Sequence, residues 1–302
     1  MKPNLSVRIG NIEMKNPVTV ASGTFGYGRE YAGLIDVKRL GAITVKGIRL
    51  EAWGGNKTPR MVEVPGGLVN AIGLQGPGVD GFVAEYMPFL REQGVPVIVN
   101  IWGTSVLEYA EVAWRLSNVE GIDGLEVNVS CPNVKEGGAS FGTDPRKVAE
   151  VVEAVRGHTG LTVITKLAPN VPDIKVFAKA AVEAGSDALS ISNTLPAMVI
   201  DIEKRKPVLA NKFGGISGAA LHPVAVKLVY EAAQAVKVPI IGMGGIFEPS
   251  DAIEFLLAGA TAVAVGTANF IDPTTPIRVI DGIEEYMARH GMEDVGELRM
   301  PF

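Results

Sequence analysis

The chain has 302 residues, 47% apolar and 20% charged, which is ample for a large core and too hydrophobic for disorder. With 33 acidic against 28 basic residues the formal charge is −5, and no Lys/Arg cluster forms a stripe for a phosphate backbone, so nucleic acid is not an expected partner. The start Met1-Lys2-Pro3-Asn4 lacks the apolar run of a secretory signal, no segment approaches the roughly 18 uncharged apolar residues of a membrane span, and a single cysteine fits a reducing compartment, so a cytoplasmic protein is expected. Leu5, Val7 and Ile9 alternate with polar neighbours, Gly10-Asn11 offers a turn, and Ile12 and Met14 resume the alternation, which predicts an opening hairpin. A unit then recurs, in which a short β-rich run is followed by a Gly, Asn or Ser loop and a segment of helical period. The predicted strands are residues 18–21, 42–46, 97–101, 124–129, 162–167, 188–192, 239–242 and 262–265.

Helices show where apolar residues fall three or four apart, as in Val148, Val151, Val152 and Val155, or Val226, Val229, Ala233 and Val236. Thr143-Asp144-Pro145, a capping side chain followed by proline in the first turn, and Pro249-Ser250-Asp251 read as helix starts. Alternation of strand and helix implies parallel strands, and strands apolar on both faces predict an α/β protein with a closed (β/α)8 TIM barrel, a single domain over residues 1–302. Two connections, residues 48–79 and 193–218, are long and rich in Gly, Pro and Asn, yet hold strand-like pieces such as 60–64. They are expected as ordered loop insertions over the barrel mouth.

In such a barrel the carboxyl ends of the strands build the site. Here those ends carry Ser22-Gly23-Thr24, Lys46-Gly47, Asn100, Asn128 with Cys131, Lys166, Ser192-Asn193-Thr194, Gly244-Gly245 and Gly266-Thr267. A lysine ending a buried strand is costly unless an anion or polar ligand receives it, or a core carboxylate pairs with it. The glycines at the seventh and eighth exits offer bare backbone amides where barrels bind phosphate, consistent with either a phosphorylated substrate or a mononucleotide cofactor. No Gly-x-Gly-x-x-Gly run follows a strand, so a dinucleotide-binding unit is not indicated. Cys131, the only cysteine, is a base or nucleophile if it faces the site and a small buried hydrophobe otherwise. His158, His222 and His290 stand at no metal-ligand spacing, so no metal site is expected.

The run Asn128-Val129-Ser130-Cys131-Pro132-Asn133-Val134-Lys135-Glu136-Gly137-Gly138, with Asn70-Ala71-Ile72-Gly73-Leu74-Gln75 and Ser192-Asn193-Thr194, resembles the class 1 dihydroorotate dehydrogenases essentially end to end. The resemblance implies an FMN-containing barrel that oxidises dihydroorotate to orotate in pyrimidine biosynthesis. By position it implies flavin contacts from Ser22, Lys46, Asn100, Asn128, Lys166, Ser192, Gly218, Gly244, Gly245, Gly266 and Thr267. Orotate contacts are implied for Lys46, Asn70, Ala71, Ile72, Gly73, Leu74, Asn128, Asn193 and Thr194, and Cys131 matches the catalytic base. On this reading hydride leaves C6 for the flavin N5, Cys131 takes the C5 proton, and Lys166 favours the anionic reduced flavin. A thiol, with an ordinary pKa of about 8.5, suits that task near neutral pH better than serine.

Gly73-Leu74-Gln75 and Lys135-Glu136-Gly137-Gly138 are more similar to the NAD-linked 1B group than to the fumarate-linked 1A group. That implies a homodimer core joined, as a heterotetramer, to a second subunit carrying FAD and a 2Fe-2S cluster, with Glu203-Lys204-Arg205-Lys206 as either a solvated loop face or part of the docking surface. Gly76 and Trp102 depart from the family pattern and are expected to affect loop shape. The competing readings are a 1A-type enzyme, a reductase of another pyrimidine such as uracil, a flavin-free phosphate-binding isomerase or aldolase using Lys166, and a barrel serving only as an interaction subunit. A colourless purified protein marks the flavin-free case.

Overall fold

The computed structural model describes residues 2–130 and 141–301. Eight parallel strands form one sheet: Val18–Val20, Ile43–Ile48, Val97–Ile101, Gly124–Asn128, Thr162–Lys166, Ala188–Ile191, Ile240–Met243 and Ala262–Val265. They coincide with the eight predicted runs, their ends differing by at most two residues. Strands two to eight pair in chain order and the eighth pairs with the first. The seam between the first and second is drawn together by Gly41 N–H donating to Val18 O at 2.9 Å and by the Thr19 hydroxyl donating to Ala42 O at 2.9 Å. The result is a (β/α)8 barrel.

The strands are buried on both faces because two cores sandwich them. Val97, Val99, Leu125, Val127, Val163, Leu189, Val263 and Val265 belong to the large core shared with the helices. Residues of the opposite parity, Ile98, Ile164, Ala188, Ile241 and Ala262, pack with Ile9, Ile12 and Met14. Those last three come from the hairpin Val7–Ile9 and Ile12–Met14, which therefore plugs the amino end of the barrel. Its turn lies tight against the fifth strand: Gly10 has φ +57°, and Asn11 N–H donates to the Thr162 hydroxyl at 3.0 Å. The sequence shows the hairpin, but only packing shows that it is a floor.

Helix Pro145–Arg156 starts as expected, with the Asp144 carboxylate accepting from Arg146 N–H at 2.9 Å and Val148, Val151, Val152 and Val155 buried. Helix Pro249–Leu257 likewise starts at Pro249 as expected, with a Glu248 and Asp251 capping box. One helical expectation shifts. Helix His222–Ala235 buries Ala225, Leu228, Val229, Ala232 and Ala233, while Val226 is only half-buried. Small alanines allow close approach to the barrel there, so the contact stripe is rotated from the one its valines suggest.

The two long insertions join in one structure. Met61–Val64 and Gly67–Asn70 from the first, with Leu195–Ala197 and Gly214–Ser217 from the second, make a four-stranded antiparallel sheet in which Gly215 stands opposite Asn70. Val69, Ala71 and Leu209 form its small core. A further hairpin, Ile200–Asp201 and Lys206–Pro207, carries the basic run at its turn, where Lys204 pairs with Asp201 at 2.8 Å.

Candidate active site

A cavity of about 510 Å³ lies between the carboxyl ends of the barrel strands and the four-stranded sheet. Its size suits a small organic ligand. Every residue matched above to a flavin contact borders it, from Ser22 and Lys46 through Asn100, Asn128, Lys166 and Ser192 to Gly218, Gly244, Gly245, Gly266 and Thr267. So do Asn70, Ile72, Gly73, Leu74, Asn193 and Thr194 of the substrate set. Ala71 is the exception, since strand alternation turns its side chain into the small core with Val69 and Leu209. Cys131 and residues 132–138 lie outside the described residues.

Two groups of residues stand out within the cavity. In the first, Asn193 Nδ2 donates to Asn128 Oδ1 at 3.2 Å and to the Ser130 hydroxyl at 2.8 Å, while Asn70 Nδ2 donates to Gly215 O at 3.3 Å. These amides form a surface suited to a planar polar ring. The second is a glycine cradle of Gly218, Gly244 and Gly245, with φ of +113°, +134° and +70°. A Cβ on Gly244 would stand 2.8 Å from Ala225 Cβ, and one on Gly245 2.7 Å from His222 Cβ, so the bare backbone is required. Beside it the Thr267 hydroxyl donates to Ser217 Oγ at 2.8 Å.

The donor set fits a flavin mononucleotide. Asn100 Oδ1 and Ser192 Oγ are buried without a hydrogen-bond partner among the described residues, although both residues line the cavity. Buried polar atoms of that kind call for a ligand with matching polar edges. The glycine cradle is chemically suited to its phosphate.

Lysines meet the cavity in two ways. Burial pushes the Lys46 ammonium below the ordinary lysine range; the Arg60 charge adds to that depression and Glu30 opposes it. Lys166, only 5% exposed, lies 3.4 Å from Glu126 Oε1 and 3.5 Å from the Ser22 hydroxyl. It therefore both borders the cavity and pairs with a core carboxylate. Glu126, Arg60 and Ser217 escaped the sequence reading. For Glu126 a signal existed, because it precedes Asn128 by two residues and so shares its face of the strand.

The two departures have local explanations. Gly76 exchanges backbone hydrogen bonds with Trp53, and a Cβ there would stand 3.0 Å from Gly47 O. Trp102 is 1% exposed and lies under the Arg49 guanidinium, 5.0 Å from its ring, outside the cavity lining.

Residues 4–287 match the family model described as Dihydroorotate dehydrogenase. The chain is 54% identical over 297 residues to a Geotalea daltonii protein, covering 98% of this chain and 97% of that one. It is 54% identical over 298 residues to a Desulforamulus reducens protein, covering 99% and 98%. A third relative, from Alkaliphilus metalliredigens, is 53% identical over 298 residues. All three are named dihydroorotate dehydrogenase B (NAD(+)), catalytic subunit.

Proposed function

The chain belongs to the dihydroorotate dehydrogenase family, and from that membership we propose that it is the catalytic subunit of an NAD-linked enzyme that oxidises (S)-dihydroorotate to orotate in pyrimidine (UMP) biosynthesis. The observation that supports this most is one cavity holding both the asparagine group and the glycine cradle, with Lys46 and Lys166 on its border. A flavin-free sugar-phosphate enzyme has no need of Asn70, Asn128 and Asn193 together.

FMN, held by Ser22, Lys46, Asn100, Asn128, Lys166, Ser192, Gly218, Gly244, Gly245, Gly266 and Thr267, supplies when bound the acceptor for hydride from C6. The asparagines, with Thr194, hold the pyrimidine amides and carboxylate. Lys46, destabilised as a cation by its burial, gains a partner when the anionic substrate arrives. Lys166 borders the site and is paired with Glu126. Residues 195–197, 214–217, 61–64 and 67–70 roof the cavity and restrict water. Cys131 takes the C5 proton, a role that rests on its place in the Asn128–Asn133 motif.

The test is to titrate the purified protein with FMN and add dihydroorotate without oxygen. Loss of the oxidised-flavin absorbance is the expected result. A protein that binds no flavin, or one reduced equally well by dihydrouracil, overturns the assignment. In Cys131→Ala, flavin reduction is expected to fall at least ~100-fold, within the range general-base removal produces, and an undiminished rate leaves the thiol without a role.

Electrons leave through a partner subunit carrying FAD and a 2Fe-2S cluster, docked on a homodimer of this chain in the cytoplasm. The single cysteine supports an external route, because it cannot by itself hold a cluster. Among the described residues no helix is long and apolar enough to cross a membrane. Purification of the native complex with analysis for FMN, FAD and iron tests this arrangement, and a complex of this chain with FMN alone refutes it.

A further inference from the structure

Glu126 is the charged residue least explained by the proposed reaction. It is 2% exposed and does not border the cavity, yet it touches two residues that do. Its Oε1 accepts from Asn100 Nδ2 at 2.6 Å and from Lys166 Nζ at 3.4 Å, and its Oε2 accepts from the Ser190 hydroxyl at 2.8 Å. Asn100, Glu126, Lys166 and Ser190 stand on barrel strands three, four, five and six, so a single carboxylate ties together half of the barrel just beneath the cavity.

A buried ion pair is rarely the most stable filling for such a space, since well-packed hydrophobes of similar volume are often as good or better. Its consequences for the cavity are more specific. Asn100 donates from its amide to Glu126, which leaves Oδ1, buried and without a partner among the described residues, as an acceptor. Lys166 has its positive charge opposed from behind by a carboxylate within 3.4 Å. At that separation, with both side chains almost wholly out of water, each charge strongly offsets the other.

We propose that Glu126 is a positioning residue that offsets the charge of Lys166 and fixes Asn100 as a hydrogen-bond acceptor, so that the bound flavin is held at a lower reduction potential than an unopposed lysine would give it. The inference rests on the FMN reading above. Glu126 acts through Lys166 and Asn100 and needs no contact with the flavin.

The test is potentiometry of the bound flavin in Glu126→Gln, whose amide keeps the size of the side chain and removes its charge. The midpoint is expected to rise by at least the equivalent of tenfold in the two-electron reduction equilibrium, ~30 mV. A smaller rise or a fall overturns the proposal. Should Glu126→Gln not fold, the double variant Glu126→Gln/Lys166→Gln leaves no unpaired ion in the core. Its midpoint is expected within that same tenfold of the native value, because the native charges largely cancel. A larger fall means Lys166 acts unopposed, and overturns the proposal. Native protein that takes up no FMN would instead defeat the functional reading, before any variant is compared.

Discussion

The lower and upper layers of the barrel interior lie on the same strands, yet they follow opposite chemistry. Ile98, Ile164 and Ala188 face the hairpin floor in a purely apolar cluster. Two residues further along those strands stand Asn100, Lys166 and Ser190, all tied to Glu126. One step of strand alternation, about 7 Å, thus separates hydrocarbon packing from a buried ion pair. The floor contributes stability and asks nothing of a ligand. The upper layer carries, among the described residues, buried polar atoms without a partner and a buried ion pair, an arrangement that is costly without a ligand.

The largest expected effect comes from breaking the upper layer. Lys166→Met leaves Glu126 buried without its cation and is expected to cost ~3–5 kcal/mol of stability in urea unfolding. A loss below ~1 kcal/mol would show that hydrogen bonds alone satisfy the carboxylate and would erase the contrast. Two residues earlier, Ile164→Ala is expected to cost ~2–4 kcal/mol through the cavity it opens. FMN affinity of the folded fraction is expected to stay within about threefold, because the floor makes no ligand contact, and a larger drop would couple the layers.

Asn128→Ala sharpens the comparison from the ligand side. Losing one amide is expected to weaken orotate binding about tenfold, ~1.4 kcal/mol, in a flavin-absorbance titration. Unchanged affinity would remove Asn128 from the substrate set. The smallest effect is a gain: Lys46→Met is expected to stabilise the unliganded protein by ~0.5–1 kcal/mol at neutral pH while impairing orotate binding. Because burial holds the folded-state pKa of Lys46 below the ordinary lysine value of 10.5, the unfolded chain binds more protons between the two values. Native stability therefore rises with pH through that alkaline window, and the advantage of the methionine variant narrows there. An advantage independent of pH up to that value would assign it to packing.

Much of the fold was legible because each layer of the barrel leaves a local mark. Strand runs, caps such as Asp144 and polar strand exits are short-range features. What escaped depends on residues far apart in the chain. Nothing near Glu126 announces that Asn100, Lys166 and Ser190 converge on it. The pairing of Gly67–Asn70 with Gly214–Ser217 was equally hidden, since each segment alone resembles a glycine-rich loop. The side chain of Ala71 turns away from its motif neighbours because a motif is contiguous whereas a strand alternates its faces.

That roof has a consequence in time. Asn70 and Gly215 are 145 residues apart, and barrel strands three to six lie between them. Contacts of such separation form late, after the loop between them has been closed by other structure. In pulsed hydrogen exchange during refolding, amides of 67–70 and 214–217 are expected to gain protection after those of 97–101 and 162–166. The newly made chain is then already a barrel while it still has no pocket, and capacity for substrate is the last property it acquires.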